Sequence, residues 1–317
     1  MNHHVLVTRK LPSKVIGRLE ENCAVDLYVG DKAISRDELL RRVAGKHAII
    51  CLLTETIDAS VLDAAGPQLE VVANVAVGYN NIDVAACRAR GIQVTNTPDV
   101  LTNACADFTW GLILAITRRL GEGERVVRAG QWKGWALDYM LGTELRGKQL
   151  GLVGVGRIGR AVADKAPAFG MSVAYTARRA ADIPNSTQMP LDRLLATSDI
   201  VSLHCPMTPE TRHLIDQKSL TRMKRSAYLI NTSRGPVVDE AALAWALKER
   251  LIAGAALDVY ENEPAIHPGL MSLENLLLIP HLASATTETR TAMADLAVTN
   301  AIAVLNGQPP VTPVPQA

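Results

Sequence analysis

The sequence has no closely spaced cysteine pair, no excess of either charge, no membrane-length apolar run and no repeat. Each absence removes a class of protein. The five cysteines (Cys23, Cys51, Cys87, Cys105, Cys205) are odd in number, scattered and never in a CxxC pair. They suggest neither a disulfide framework nor a metal site, and a reduced cytoplasm is the natural setting. Thirty-three basic residues against 32 acidic ones give a formal net charge of +1. That balance argues against a general nucleic-acid binder and a polybasic membrane binder. The longest uncharged apolar-rich stretch, residues 108–117, is about half of the roughly 20 residues needed to span a bilayer. The opening MNHHVLVTRK has too short an apolar run for a signal-peptide core, and no solenoid period is visible.

What is there is ordinary in amount and ordered in pattern. The 317 residues are 48% apolar and 21% charged, values of a globular chain. That length suits two domains at roughly 150 residues each. Short β-branched runs over residues 4–8, 24–29, 47–53, 70–74 and 92–95 read as strands. Between them, residues 35–43 and 58–65 carry apolar positions at helical spacing, with Ser35 and Asp58 as N-caps. After a long helix near residues 99–120, a second series of strands covers 149–153, 172–176, 200–204, 228–231, 254–259 and 276–279. A final helix is expected over residues 286–305, then a tail whose prolines cannot continue it. Strands alternating with helices imply α/β architecture with parallel sheets. Periodicity leaves open whether the final helix returns to the first domain.

Residues 150–160 read LGLVGVGRIGR. Gly154, Gly156 and Gly159 form GxGxxG between a strand and a helix starting near Arg157. That context suits a dinucleotide pyrophosphate at a helix N-terminus better than a mere glycine-rich turn. The following strand ends AYTARRAAD. Ala177 stands where an NAD site usually keeps a carboxylate, and Asp182 falls beyond the strand end. Thr176, Arg178 and Arg179 suit a 2′-phosphate through charge-assisted hydrogen bonds. The turn therefore predicts NADP(H) in preference to NAD(H), against the plainer reading of a solvated basic turn.

Three segments beyond strand ends carry candidate chemistry: Arg234 in NTSRGPVVDE, Asp258, Glu261 and Glu263 in ALDVYENEP, and His281 in LIPHLASATT. An arginine fork can hold a substrate carboxylate, and a histidine can give a proton to an oxo oxygen as hydride reaches carbon. A neighbouring carboxylate would orient the imidazole and favour its protonation. His204, at the strand end in LHCP, competes with His281 on spacing. Arg234 alone fits a structural ion pair equally well, and Asp239 reads as a helix cap.

Over nearly its whole length the sequence resembles the D-isomer-specific 2-hydroxyacid dehydrogenases. The matching strings are VGYNNIDVAA, TNTPDVLTNACAD, LGLVGVGRIGRAVA, SDIVSLHCPMTPETRHLI, INTSRGPVVDEAAL, AALDVYENEP and IPHLASATTETR, in family order. The resemblance implies two Rossmann-like or flavodoxin-like domains. Residues 99–285 would form the dinucleotide-binding domain, inserted into a discontinuous substrate domain of residues 1–98 plus 286–317. It implies a catalytic set matching Arg234, Glu263 and His281, which decides between the two histidines. His204 then lies along the cofactor, with Cys205, Pro206, Thr211, Thr232 and Ser233, and with Val155 and Ile158 of the glycine loop. Asp258 matches a position near the nicotinamide amide. Val77 and Gly78 match the loop whose N–H groups meet the substrate carboxylate. Cys105 stands where many members have a threonine near the phosphates.

Within the family, ANVAVGYNN has no cation for a phosphorylated substrate, and Val77 replaces the lysine of phosphite dehydrogenases. Glu263 differs from the glutamine of formate dehydrogenases. VAVGYNNID, NTPDVLT, YTARR and GQWKGWALDYMLG resemble the glyoxylate and hydroxypyruvate reductases. In such homodimers a tryptophan matching Trp135 reaches the partner's substrate pocket; plain interface packing is the duller reading for Trp132 and Trp135. Rival expectations are a broader D-2-hydroxyacid dehydrogenase, such as a 2-ketogluconate reductase, and a dinucleotide-sensing binding protein like the C-terminal-binding-protein corepressors.

Overall fold

The computed structural model describes residues 3–315. The chain divides into two compact units. One takes the described residues up to Leu101 together with those from Thr286 on; the other is Thr102–Ala285.

The first unit holds a five-stranded parallel sheet of β1 (His4–Val7), β2 (Ala24–Leu27), β3 (Ala48–Cys51), β4 (Val71–Asn74) and β5 (Gln93–Thr95), in the order β2-β1-β3-β4-β5. Every residue of β3 and β4 is buried, as expected of strands covered on both faces. The expected caps are in place: Ser35 accepts from the Glu38 N–H and Asp58 from the Val61 N–H. The helix Thr287–Leu305, capped by Thr286, packs on β3, β4 and β5. The tail then runs beside β5, where Pro313 bridges Thr95 and the Val314 N–H donates to the Val94 carbonyl at 2.9 Å.

The second unit is built on a seven-stranded parallel sheet: β6 (Gln149–Val153), β7 (Ser172–Thr176), β8 (Ser186–Gln188), β9 (Ile200–Leu203), β10 (Tyr228–Asn231), β11 (Gly254–Leu257) and β12 (Leu276–Leu278). Its order is β12-β11-β10-β9-β6-β7-β8. The strand order reverses between β6 and β9, and open α/β sheets bind ligands beyond the strand ends at such a switch point. Alternation along the strands feeds two cores: Leu229, Ala255 and Leu257 enter one, Ile230 and Ala256 the other. Among the described residues, no helix is long and apolar enough to cross a membrane.

Two elements depart from expectation. β8 is a short polar edge strand, STQ, with no apolar run to announce it. The single helix expected near residues 99–120 is instead Thr102–Thr117 followed by Leu120–Arg128. Asp99 lies outside it with φ +69°, and Arg119 breaks it with φ +55°. The break has a tertiary cause. The Thr117 carbonyl accepts from the Thr143 N–H at 2.8 Å rather than continuing the helical ladder.

Candidate active site

Beyond β10, the buried Asn231 organises the turn that carries Arg234. Its side-chain oxygen accepts from the Ser233 N–H at 3.0 Å and the Ser233 hydroxyl at 2.8 Å, while its amide nitrogen donates to the Arg234 carbonyl at 3.0 Å. Thr232 meets the Thr109 hydroxyl at 3.1 Å. Arg234 Nη1 donates to the Ser233 carbonyl at 2.7 Å. Burial lowers the guanidinium pKa, and the Glu263 charge opposes that shift.

Beyond β11, the acidic residues of ENE part company. Glu261 turns to His213 Nε2 at 2.8 Å and accepts from the Glu240 N–H at 2.9 Å. Glu240, itself buried, accepts from the Glu261 N–H at 2.7 Å and the His267 N–H at 3.1 Å. Glu263 is the carboxylate that meets His281, Oε2 to Nδ1 at 2.8 Å, while its Oε1 accepts from the Tyr260 N–H at 3.1 Å. Burial would raise the Glu263 carboxyl. The His281 hydrogen bond and charge, the Tyr260 N–H and Arg234 outweigh it, leaving the carboxyl below its ordinary range. The carboxylate is therefore ionised near neutral pH, so Nδ1 carries the proton and donates.

His281 itself is held in a left-handed conformation, φ +52°. Asp258, fully buried, fixes that stretch. Its carbonyl accepts from the His281 N–H at 2.9 Å, and its carboxylate accepts from the Leu282 N–H at 2.6 Å and the Ala283 N–H at 2.9 Å. Burial raises the Asp258 carboxyl against those two donors. Non-glycine residues in this conformation cost about 1–3 kcal/mol and persist where the surroundings over-determine them.

His204 has a different environment. Its Nε2 contacts the Ser202 hydroxyl at 2.9 Å, no carboxylate among the described residues partners it, and desolvation lowers it to about 4. A neutral imidazole suits packing along a ligand better than proton delivery. Burial pushes Cys205 up to about 11 and Cys105 up to about 12, so both are inert thiols rather than nucleophiles.

The residues around the glycine loop fit a dinucleotide. Gly154, φ +89°, lies against the chain at His204–Cys205, where an added Cβ would stand 2.8 Å from the Cys205 nitrogen. At Gly159 a Cβ would meet the Gly154 carbonyl oxygen at 2.4 Å, which lets the helix Arg157–Ala163 close onto the loop. Gly156 faces open space, the surface a pyrophosphate would use. Val155 is buried beneath the loop, and Ile158 packs against the same core. At the end of β7, the Tyr175 hydroxyl clasps the turn by bonding both the N–H and the carbonyl of Ala181, at 3.0 and 2.9 Å. Arg160 secures its far side through the Asp182 carbonyl at 2.7 Å. Arg178 and Arg179 project outward from the clasped turn and are exposed; Ala177 and Thr176 are half-buried. Arg178 is near enough to lower the Glu210 carboxyl, behind the hydrogen bonds that carboxyl already accepts. Thr211 accepts from the Thr208 N–H at 2.8 Å and donates to the Pro206 carbonyl at 2.7 Å, bracing the loop after β9.

Val77 and Gly78 belong to the first unit, in the half-buried turn after β4. Trp132 and Trp135 lie in the second unit on a segment without regular structure, and Trp135 is 82% exposed. Tyr260, His213 and Glu240 were not anticipated from the sequence. Each lies inside one of the strings that carry the family resemblance, which by itself assigns it no role.

The D-isomer specific 2-hydroxyacid dehydrogenase, NAD binding domain, family matches residues 110–283. The glyoxylate reductase of Thermofilum pendens is 51% identical over 315 residues, covering 96% of this chain and 92% of that protein. The chain belongs to the D-isomer-specific 2-hydroxyacid dehydrogenase family. It is an oxidoreductase of that family, with NAD(P)(H) as cofactor. Among solved structures, a Thermus thermophilus protein superposes with a TM-score of 0.94 at 46% identity, covering 98% of this chain and all of that one (100%). An NADPH-dependent glyoxylate/hydroxypyruvate reductase from Sinorhizobium meliloti, solved with NADP and malonate, gives 0.88 at 38% identity, covering 99% and 97%.

Proposed function

We propose that this enzyme is an NADPH-preferring reductase of small 2-oxo acids, converting glyoxylate to glycolate and hydroxypyruvate to D-glycerate. The observation that carries the reading is the ionised Glu263 carboxylate on His281 Nδ1 at 2.8 Å, with Arg234 in its electrostatic reach. The glyoxylate reductases of Thermofilum pendens and Thermococcus onnurineus, 51% and 47% identical, support the substrate class.

The cofactor, when bound, supplies the hydride. His281 Nε2 gives its proton to the substrate's oxo oxygen, and Glu263 steadies the protonated imidazole and its orientation. Arg234 holds the substrate carboxylate and polarises the oxo group, a task suited to a planar fork of donors. By resemblance to the family, the N–H groups of Val77 and Gly78 are assigned to a substrate carboxylate. Asp258 keeps His281 in register and would be the residue to meet the nicotinamide amide of a bound cofactor. We assign residues 99–285 as the dinucleotide domain and residues 1–98 with 286–317 as the substrate domain.

Arg178 and Arg179, with Thr176, take the 2′-phosphate, which is why we assign NADPH preference. His204, Cys205, Pro206, Thr211, Thr232, Ser233 and Arg157 would line the rest of a bound cofactor. The exposed apolar residues Val127, Trp132, Trp135, Leu137 and Leu141 mark the segment we assign to a homodimer interface. Trp135 there approaches the partner's substrate pocket. Five free thiols suit the reducing cytoplasm.

The test is initial-rate kinetics with NADPH and NADH on glyoxylate, hydroxypyruvate, pyruvate and 2-ketogluconate. The expected result is highest kcat/KM with NADPH and one of the first two acids. Highest efficiency on 2-ketogluconate would replace the substrate assignment, and equal or better efficiency with NADH would overturn the cofactor preference.

A further inference from the structure

Three consecutive carbonyls in the turn after β4 are each held by a different donor. The Ala76 carbonyl accepts from the Thr97 N–H at 2.9 Å. The Val77 carbonyl accepts from Asn96 Nδ2 at 2.7 Å, and the Gly78 carbonyl from Asn74 Nδ2 at 2.8 Å. Both asparagines are buried, at 8% and 0% exposure, whereas Val77 and Gly78 are half-buried. The N–H groups of Val77, Gly78 and Tyr79 donate to no acceptor among the described residues.

A trans peptide is planar, with its C=O and N–H pointing opposite ways. Holding the Val77 carbonyl therefore aims the Gly78 N–H, holding Ala76 aims that of Val77, and holding Gly78 aims that of Tyr79. Successive N–H groups turned to one side form a concave anion site.

The asparagines are themselves braced. Asn74 Nδ2 also reaches Asn81 Oδ1 at 3.2 Å, and Asn81 Nδ2 donates to the carbonyls of Leu52 and Glu55, each at 3.0 Å. The buried Glu55 carboxylate anchors that end by accepting from the Thr8 hydroxyl at 2.6 Å and the Leu52 N–H at 2.8 Å. On the other side, the Asn96 carbonyl accepts from the Thr312 hydroxyl at 2.7 Å.

We infer that Asn96 and Asn74 are positioning residues for substrate: by gripping the Val77 and Gly78 carbonyls from behind, they aim a row of N–H groups at the substrate carboxylate. The inference rests on the proposed reduction of a 2-oxo acid. It adds that carboxylate affinity is set by two side chains that never touch the substrate. Asn96 governs the Gly78 N–H, and Asn74 extends the row to Tyr79.

The test compares wild type with Asn96→Ala, Asn96→Asp and Asn74→Ala. The readouts are kcat and KM for glyoxylate, inhibition by the unreactive carboxylate oxalate, and the NADPH Kd from fluorescence. Asn96→Asp keeps the shape and removes the donor. Loss of an aimed, charge-assisted hydrogen bond should raise the glyoxylate KM and the oxalate Ki together, by about tenfold or more. The NADPH Kd should stay within about twofold, and kcat should fall less than KM rises. Unchanged KM and Ki in folded Asn96 variants, or a fall confined to kcat, would overturn the inference. Asn74→Ala supplies an independent arm should the Asn96 variants not fold. Wild type inert toward every 2-oxo acid would instead remove the proposed function, a distinguishable failure.

Discussion

Gly235 lies so close to Tyr260 that an added Cβ would stand 1.8 Å from the Tyr260 carbonyl carbon and 1.9 Å from its oxygen. The turn leaving Arg234 is thereby pressed against the start of the segment that carries Glu263. No side chain larger than hydrogen leaves that approach intact.

Gly235→Ala should therefore separate Arg234 from Glu263 without altering either. A shift of about 1 Å at a reacting group costs on the order of a hundredfold in rate. We expect kcat/KM for glyoxylate to drop by about that factor, with a lower Tm. Steady-state kinetics and a thermal melt check it, and wild-type kinetics would contradict the coupling.

His281→Ala removes the proposed proton donor. Its kcat should fall by about 10²–10⁴-fold, the range for a general acid. NADPH binding, measured by fluorescence titration, should change little. A near-normal kcat would take His281 out of that role.

Glu263 gives a prediction with a definite sign in pH. Its folded carboxyl lies below its ordinary value, so the unfolded chain takes up the proton first as pH falls. The stabilisation is complete above the unfolded carboxyl range, roughly 4.3, and is lost as pH drops through the lower folded value. The Tm difference between wild type and Glu263→Gln should accordingly be constant near neutrality and shrink in acid. A difference independent of pH would contradict the assignment.

Asp258→Ala leaves the N–H groups of Leu282 and Ala283 without their acceptor. Each unsatisfied buried donor costs about 1–3 kcal/mol, and the left-handed His281 loses its brace. Denaturant unfolding should register a loss of at least one such increment, alongside reduced kcat.

Replacing both Arg178 and Arg179 by alanine should lower kcat/KM for NADPH by about tenfold or more and leave NADH nearly unchanged. Equal losses with both cofactors would place the two arginines elsewhere in the chemistry.

The legible parts of this molecule are those with local causes. Ser35, Asp58 and Asp239 cap their helices because the donor each satisfies lies three residues on. The glycine loop is readable for the same reason, its strand, turn and helix being contiguous. The helix break at Arg119 is not, because the group that claims the Thr117 carbonyl, Thr143, arrives from a later segment. Spacing likewise leaves Glu261 and Glu263 equivalent. They are told apart by His213 and His281, which come from different segments, and only the family resemblance pointed to Glu263. Asn74 and Asn96 read as ordinary strand-end polar residues until the carbonyls they hold are seen.

The placement of Thr287–Leu305 against β3, β4 and β5 imposes an order on biosynthesis. Residues 102–285 are contiguous and can collapse as they leave the ribosome. The first sheet, though made before that unit, lacks the helix that covers β3–β5 on one face until residues 287–305 emerge, so those apolar strands must wait through the synthesis of an entire intervening unit. Nascent chains halted before Thr287 should therefore present the β3–β4 surface to chaperones, and those halted beyond Leu305 should not.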